Sequence, residues 1–370
     1  MKKRGLSIAA FFVGLWHLTG CVTGPPSSVH TGHYNATTAL PLWPALYATE
    51  STPQQQDNIV SVLIESHPTP NPAPFRDDKL VRFTTGLKLC QDTFRVPDLS
   101  RINDVMAPGV LVFSLTGLAI DEAEITNLDW RLFVANVFPA DSPSADMLAT
   151  VTPAVTALPV KDYYTSPFYA YYPVVGISYE QAKRYCKWRT EAVNRELAVR
   201  SSDKRLAGVT YEYRLPTEAE WEEAAEVRSG QPYGTTCIQL PVRVAEGAAA
   251  YLQKRAVIST PIAQIRTDIA AYNKQHPVRS WINYAQAEPY FLKLVTPGYV
   301  YQGPPNDFGV YQMLGNAAEM VQERGVTKGG SYRDELAACR IKARGSFTGP
   351  SPSVGFRAVC IMHRGEPAVK

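Results

Sequence analysis

The sequence has little net charge and few of the motifs on which common catalytic and binding sites depend. It has 37 Lys and Arg residues against 34 Asp and Glu, a formal charge of +3 over 370 residues. Neither a dense basic surface for nucleic acid nor an acidic tail is present, which argues against a nucleic-acid partner. The 6 histidines are scattered, and no CxxC pair, phosphate loop or Ser/His/Asp set is recognisable. No internal repeat occurs, and no apolar run after the first residues is long enough to span a bilayer.

The first residues have the organisation of a secretory signal. Three basic residues at positions 2–4 precede an apolar run at positions 6–18, and Leu-Thr-Gly-Cys follows, ending at Cys21. This ending resembles the bacterial lipobox, in which the cysteine thiol is acylated and the chain is cut before it. We therefore expect a signal peptide over residues 1–20 and a lipid anchor on Cys21. Because Val22 is not acidic, we expect an outer-membrane lipoprotein that faces the periplasm. The alternative is an ordinary signal peptide with an incidental cysteine.

Composition divides the remainder of the chain. Residues 21–77 are rich in Pro, Ser and Thr, which predicts a semi-extended tether; whether part of it docks on the domain is left open. Residues 78–108 have no clear pattern and form an uncertain lead-in. With 45% hydrophobic residues, the chain has enough apolar sequence for a folded domain, predicted over residues 109–361 and followed by a tail at 362–370.

Three helix starts within this domain have the signature of a capping box, in which a Ser or Thr is followed three residues later by an acid or Gln. The pairs are Thr126 with Asp129, Ser178 with Gln181, and Thr217 with Glu220. Short apolar runs separated by glycines predict short strands, beginning with the VLVFSL run after Gly109. Because helices and strands do not alternate as β-α-β units, an α+β fold is predicted.

Residues 228–300 form a separate segment of the predicted domain. Pro261 stands at a first helical turn, and apolar residues follow it at helical spacing, namely Ile262, Ile265, Ile269 and Tyr272. This pattern predicts an amphipathic helix. Its apolar face is either a packing face or a surface for a partner.

The stretch from Asn306 to Cys360 carries a specific resemblance. Its strings FGVYQMLGNAAEM, KGGSY and GFR resemble, in order, the C-terminal half of the formylglycine-generating enzyme (sulfatase-modifying factor) family. The strings DEAEITN, YPVVGISYEQAKRYCKWRT and LPTEAEWEEAA are also similar to it, so the resemblance covers residues 109–361, with residues 228–300 as an insertion. It implies an irregular α+β fold related to C-type lectins, with short strands and a few capped helices.

The resemblance also implies a reaction. Enzymes of this family oxidise a cysteine of a client sulfatase to formylglycine, using O₂ and a copper(I) ion held by two thiolates after the GGS turn. Counting from that turn places Cys339 on the second thiolate position and Asp334 on the first. A carboxylate is a hard ligand and suits Cu(I) poorly, so the two-thiolate site is not expected to form.

The resemblance further implies a calcium site in the turn before Glu319. The matching ligands are one side-chain oxygen, two backbone carbonyls and a carboxylate, at Gln312, Gly315, Ala317 and Glu319. Oxygen ligands suit Ca²⁺, but Gln312 replaces an Asn or Asp, which lowers the expected affinity. In the alternative, Glu319 forms a salt bridge and the turn folds unaided.

A disulfide is implied in the same way. In the family, the cysteine matched by Cys186 pairs with one directly after GFR, where this chain has Ala358. Cys360 lies two residues further, on the same face of a strand, so a Cys186–Cys360 disulfide is the expectation.

These observations favour a non-catalytic, lipid-anchored module that acts as a periplasmic scaffold or binding protein for a protein partner. Several lipoproteins of Bacteroidetes gliding motility and type IX secretion are similar in layout. One alternative is a copper-dependent oxidase with Cys339 as its essential thiol. The other is a lectin-like binder of glycan or peptide.

Overall fold

A computed structural model of the chain describes much of the predicted domain and one short element before it. The described residues are 81–83, 110–112, 119–137, 144–199, 208–226, 230–234, 240–244, 246–276, 278–279, 282–285, 289–300, 306 and 310–364. The predicted signal peptide, tether and acylated Cys21 lie outside these residues. Among the described helices, none is both long and apolar enough to cross a membrane.

Helices and short strands are mixed along the chain. The helices are α1 (Asn127–Val137), α2 (Ala145–Ala149), α3 (Tyr179–Val199), α4 (Glu218–Glu226), α5 (Ala249–Arg255) and α6 (Ile262–Gln275). The strands are β1 (Val81–Phe83), β2 (Val110–Val112), β3 (Ala119–Asp121), β4 (Val209–Arg214), β5 (Leu240–Val244), β6 (Val278–Arg279), β7 (Ala318–Met320), β8 (Val326–Lys328), β9 (Gly345–Ser346), β10 (Val354–Gly355) and β11 (Val359–Arg364). Short 3-10 turns lie at Val155–Ala157, Pro167–Tyr169, Glu246–Ala248 and Leu336–Cys339.

The main sheet has four antiparallel strands in the order β2-β3-β11-β4. β11 is the last of the described strands in sequence but lies inside the sheet, where Cys360 is opposite Ala119 of β3 and Tyr213 of β4. The strand continues to Arg364, three residues into the predicted 362–370 tail. A chain whose last strand is interior must bring its distant parts together before the sheet is complete.

A second sheet, in the order β10-β7-β8-β9, supports the glycine-rich C-terminal half. β10 runs parallel to β7, whereas β7, β8 and β9 are successive antiparallel neighbours. With six helices in the described residues together with these short strands, the fold is α+β, as predicted.

All three predicted capping boxes are present. The Thr or Ser hydroxyl accepts a backbone N–H bond from the third following residue at 3.1–3.2 Å, and that residue's side chain accepts from the capping residue's own N–H at 2.8–3.0 Å. The pairs are Thr126 with Asp129, Ser178 with Gln181, and Thr217 with Glu220. Each box satisfies two backbone donors that a helix start would otherwise leave without partners.

The core joins α1, α3 and the segment before β11 through aromatic rings. Trp130 of α1 stacks on Tyr185 of α3, with ring centroids 5.3 Å apart. Phe356 packs edge-on against both rings, at 6.1 Å and 5.6 Å. The Trp130 indole N–H donates to the carbonyl of Val151 at 2.7 Å. Aromatic pairs of this kind add about 0.5–1.5 kcal/mol each beyond the area that they bury.

The predicted 228–300 segment contains a small core of its own. Leu252 of α5, Ile265 and Ile269 of α6, Val244 of β5 and Phe291 are buried together. The amphipathic helix is therefore confirmed, and its apolar face is a packing face. We call residues 240–279, together with Phe291 and Leu292, the inserted subdomain.

The later part of the 228–300 segment packs with the main domain instead. Ile282 joins the cluster around Trp221 of α4, and Tyr299 joins the main aromatic core. The residues that follow the inserted subdomain in sequence therefore contribute to the core of the main domain.

The Cys186–Cys360 disulfide is not formed. Both thiols are buried and free, and burial raises the pKa of each to about 12. Cys360 lies two strand residues, about 6.6 Å, beyond Ala358, the position that matches the family's second cysteine. The residue that matches the family position, Ala358, is buried in the same core.

Candidate functional site

The turn before β7 is organised around Asn316, which has no exposed surface. Its φ of 64° is a left-handed conformation that Asn tolerates better than most residues. Its side-chain oxygen accepts from Asn283 at 2.9 Å and from the Gly298 N–H at 2.6 Å. Its amide nitrogen donates to both carboxylate oxygens of Glu124 at 3.0 and 3.1 Å. Tyr332 N–H donates to its carbonyl at 2.9 Å, so one side chain and its backbone join four segments.

Gly315 brings these segments into backbone contact. Its φ is +79°, and a Cβ at this position would lie 2.3 Å from the Asn283 carbonyl oxygen, so no side chain fits. Its N–H donates to the Gly329 carbonyl at 2.8 Å. The turn therefore packs directly against the GGS turn and the chain that returns from the inserted subdomain.

The carboxylate of Glu319 on β7 accepts hydrogen bonds from the guanidinium of Arg357 and from the indole of Trp221. Arg357 donates Nε to Oε2 and Nη2 to Oε1, both at 2.7 Å, and Trp221 Nε1 donates to Oε2 at 2.7 Å. The Arg357 and Glu319 side chains are buried. A bidentate pair of this kind is strong, and its geometry is specific.

A second buried carboxylate, Glu124, lies near this pair. It accepts from Asn316 as described and from the Ala317 N–H at 3.2 Å. Burial raises its pKa well above the ordinary value, and the neighbouring charge of Glu319 adds to the shift, whereas Arg357 opposes it. We conclude that Glu124 binds a proton in the folded protein over a wider pH range than in the unfolded chain.

Cys339 lies beneath the GGS turn and has no exposed surface. Its sulfur is so close to Gly330 that a Cβ at position 330 would lie 2.9 Å from it. Burial raises the pKa of the thiol to about 12, and the charge of Asp334 contributes to the increase. Because the thiolate is the form that binds metals and attacks electrophiles, the environment opposes both.

Asp334 occupies the position predicted for the missing thiolate. Its Oδ2 accepts from the Ser331 hydroxyl at 2.6 Å, and its N–H donates to the Ser331 carbonyl at 3.0 Å. The Ala285 N–H donates to the Asp334 carbonyl at 2.7 Å. The carboxylate thus completes a local turn.

These two side chains do not fit a copper(I) site. Cu(I) prefers soft thiolates, whereas the position after the turn offers a hydrogen-bonded carboxylate and a buried thiol whose pKa is raised. No step of a reaction through copper can be derived from them.

Three residues of the calcium prediction, Gln312, Gly315 and Ala317, lie in the turn before β7, and the fourth, Glu319, lies on β7. All four are buried. The salt bridge that the alternative interpretation requires is present between Glu319 and Arg357. Within the described part of the chain, no group of three or more His, Cys, Asp or Glu side chains is arranged to hold a metal ion.

Sequence reasoning did not find Glu124, Asn316 and Arg357 as members of one site. Glu124 stands in the acidic string DEAE, which resembles an exposed surface segment. A signal was available for Arg357, because GFR places a charged residue within an otherwise apolar run. A charge in such a run requires a buried partner.

We predict that Glu124→Gln flattens the pH dependence of stability. Because the folded pKa is raised, the folded state binds more protons than the unfolded state above the ordinary pKa of 4.5. Stability should therefore fall as pH rises from there towards the folded pKa, by up to about 1.4 kcal/mol per pH unit for one proton.

Urea unfolding of the parent and the variant from pH 4 to pH 8 measures this effect. The variant should gain stability relative to the parent as pH rises and should differ little from it at pH 4. Glu180→Gln, an exposed acid on α3, is the control. Equal pH slopes in the parent and in Glu124→Gln would contradict the prediction.

Comparison with known proteins agrees with this architecture. A model of the family described as "Sulfatase-modifying factor enzyme 1-like domain" matches residues 103–361. Among curated proteins, none matches.

Three solved structures show limited similarity, each covering 66% of this chain. Variable protein 1 of Treponema denticola has 18% identity and a TM-score of 0.35, with 84% of its own chain covered. PvdO from Pseudomonas aeruginosa has 16% identity and a TM-score of 0.36, with 80% covered. CarF has 16% identity and a TM-score of 0.36, with 86% covered. Because the family model spans most of the chain, this protein belongs to the family of proteins with a sulfatase-modifying factor enzyme 1-like domain.

Proposed function

We propose that this protein is a non-catalytic member of its family that serves as a periplasmic scaffold or binding module for a protein partner. The supporting observation is that Asp334 takes the first thiolate position and is hydrogen-bonded to Ser331, while Cys339 is buried with a raised pKa. The side chains that would carry the oxidation are thus used in local structure. The proposal includes a lipid on Cys21 that holds the domain at the outer membrane.

The interior of the domain suits a rigid module. The buried pair of Arg357 with Glu319 and the contacts of Asn316 fix the turn, the GGS loop and the returning chain against one another. Surfaces carried on such a framework are presented in one geometry, which lowers the ordering cost of binding a partner.

The proposal predicts that the purified protein consumes no O₂ with a cysteine-containing sulfatase peptide. It should also bind Cu(I) no more tightly than a single cysteine does. Asp334→Cys, which restores two thiols at the family's spacing, should raise the Cu(I) affinity at least about tenfold, because a second soft ligand is added. Competition with a chromophoric Cu(I) chelator measures the affinity, and an oxygen electrode measures the turnover.

Glu335→Cys is the matched control, since it adds an exposed thiol one residue away from the required spacing. Formylglycine produced by the unaltered protein, detected as an aldehyde in the peptide, would overturn the proposal in favour of the oxidase. Specific binding of a glycan without a protein partner would favour the lectin-like alternative.

We further propose that Ca²⁺ binds the turn at Gln312 only weakly. Gln312 carries no charge, and the charge of Glu319 is already balanced by Arg357. At 1 mM Ca²⁺ the parent should gain less than about 0.5 kcal/mol of unfolding free energy, and Gln312→Asp should gain more, since binding to the native state alone raises stability. Thermal melting with Ca²⁺ or Mg²⁺ measures both. A large Ca²⁺-specific shift in the parent would contradict the weak site.

The lipid anchor makes a separate prediction. Mass spectrometry of the mature N-terminus should find an acylated Cys21, and Cys21→Ser should move the protein from the membrane fraction to the soluble periplasmic fraction, because it removes the acylated thiol. The measurement also locates the cleavage site. An unmodified Cys21, or cleavage at another residue, would remove the anchor from the proposal while leaving the argument on Asp334 intact.

A further inference from the structure

Strand β5 of the inserted subdomain has two hydrogen-bonding edges. The backbone groups of one edge bond to other residues of the subdomain, in β6 and α6. The Val244 N–H donates to the side-chain oxygen of Asn273 at 2.9 Å, and Asn273 Nδ2 donates to the Val244 carbonyl at 2.8 Å. At the other end of the strand, Leu240 is opposite Arg279 of β6 on the neighbouring strand. Backbone groups of successive strand residues point to opposite edges. Residues 240, 242 and 244 therefore face the edge formed by β6 and Asn273.

The opposite edge of β5 is formed by Pro241 and Arg243. Pro241 has no N–H to satisfy, which leaves the N–H and C=O of Arg243 as the hydrogen-bonding pair of this edge. β1 lies antiparallel along it, with Arg82 opposite Arg243 between the pairs Val81–Val244 and Phe83–Val242. Since the Val244 groups bond to Asn273, Arg82 and Arg243 form the hydrogen-bonded pair of this ladder.

We propose that the inserted subdomain is a receptor for the chain's own N-terminal segment, which it takes up as the edge strand β1 on β5. This assigns a role to the inserted subdomain, and it depends neither on lipidation of Cys21 nor on the absence of catalysis. The recognised ligand is an extended peptide, bound through its backbone in the manner of strand addition to a sheet edge.

Docking of β1 adds a third strand to the β5–β6 pair and extends the inserted subdomain to residues 81–83. The three-residue pairing is short, so the strand should open locally at a much lower free energy than global unfolding.

Hydrogen exchange of the full-length protein tests the proposal at the Arg243 amide. In the parent this amide should exchange slowly. Arg82→Pro removes the N–H that bonds to Arg243, and we expect it to speed exchange at Arg243 at least about tenfold, as for a locally opened strand. Val81→Pro is the matched control, because the Val81 N–H points away from β5 and its loss should leave exchange nearly unchanged. The Val244 amide, which is held by Asn273, is the internal reference.

A peptide with the sequence of residues 78–86, added to the Arg82→Pro protein, should restore slow exchange at Arg243, whereas the same peptide with Pro at position 82 should not. Equal exchange at Arg243 in the parent and Arg82→Pro would overturn it, as would equal acceleration by the two proline variants or failure of the peptide to protect the edge.

Discussion

The buried ion pair between Arg357 and Glu319 holds together the parts of the chain that meet near the turn. Moving two charges out of water costs several kcal/mol per ion, and only good geometry with further hydrogen bonds offsets that cost. Two guanidinium contacts of 2.7 Å and a third from Trp221 provide this geometry. Arg357 also donates to the carbonyls of Asp121 and Tyr311, at 3.1 and 2.8 Å. One guanidinium therefore connects β3, the turn and β7, and a partner removed from this set would leave an uncompensated charge inside the domain.

The pairing of Arg357 with Glu319 also bears on the protonation of the second buried carboxylate, Glu124. Arg357 donates to Glu319, whereas Glu124, among the described residues, accepts from the amide of Asn316 and the N–H of Ala317. Amide donors stabilise a carboxylate less than a guanidinium does. Burial and the neighbouring charge of Glu319 therefore raise the pKa of Glu124, against the opposing effects of Arg357 and these two donors. These polar groups hold the backbone of the turn in place.

The sequence was sufficient to predict four of the helices but not the ion pairs buried inside the domain. Capping boxes at the start of α1, α3 and α4 and the amphipathic pattern of α6 were predicted correctly, because each depends on neighbours within one or two turns. The buried pair of Asp121 with Arg189, joined at 2.8 Å, depends on residues that are far apart in sequence. Helical spacing places Arg189 on the apolar face of α3 near Tyr185, which indicates a buried partner without naming it. The register of β11 against β3 and β4, which fixes the position of Cys360, is likewise set by tertiary contacts.

Two positions after the GGS turn, Asp334 and Cys339, have structural roles that do not depend on a metal. The backbone of Asp334 is fixed by Ser331 and Ala285 through bonds that any residue could make, and its carboxylate adds one more bond to the turn. Cys339 fits beneath Gly330 by size, and a buried thiol packs as a small apolar group. Neither position requires metal chemistry for its structural role. Since the contacts that stabilise the domain are separate from those that a reaction would need, the fold persists whether or not the reaction does, and function must be argued from the remaining side chains.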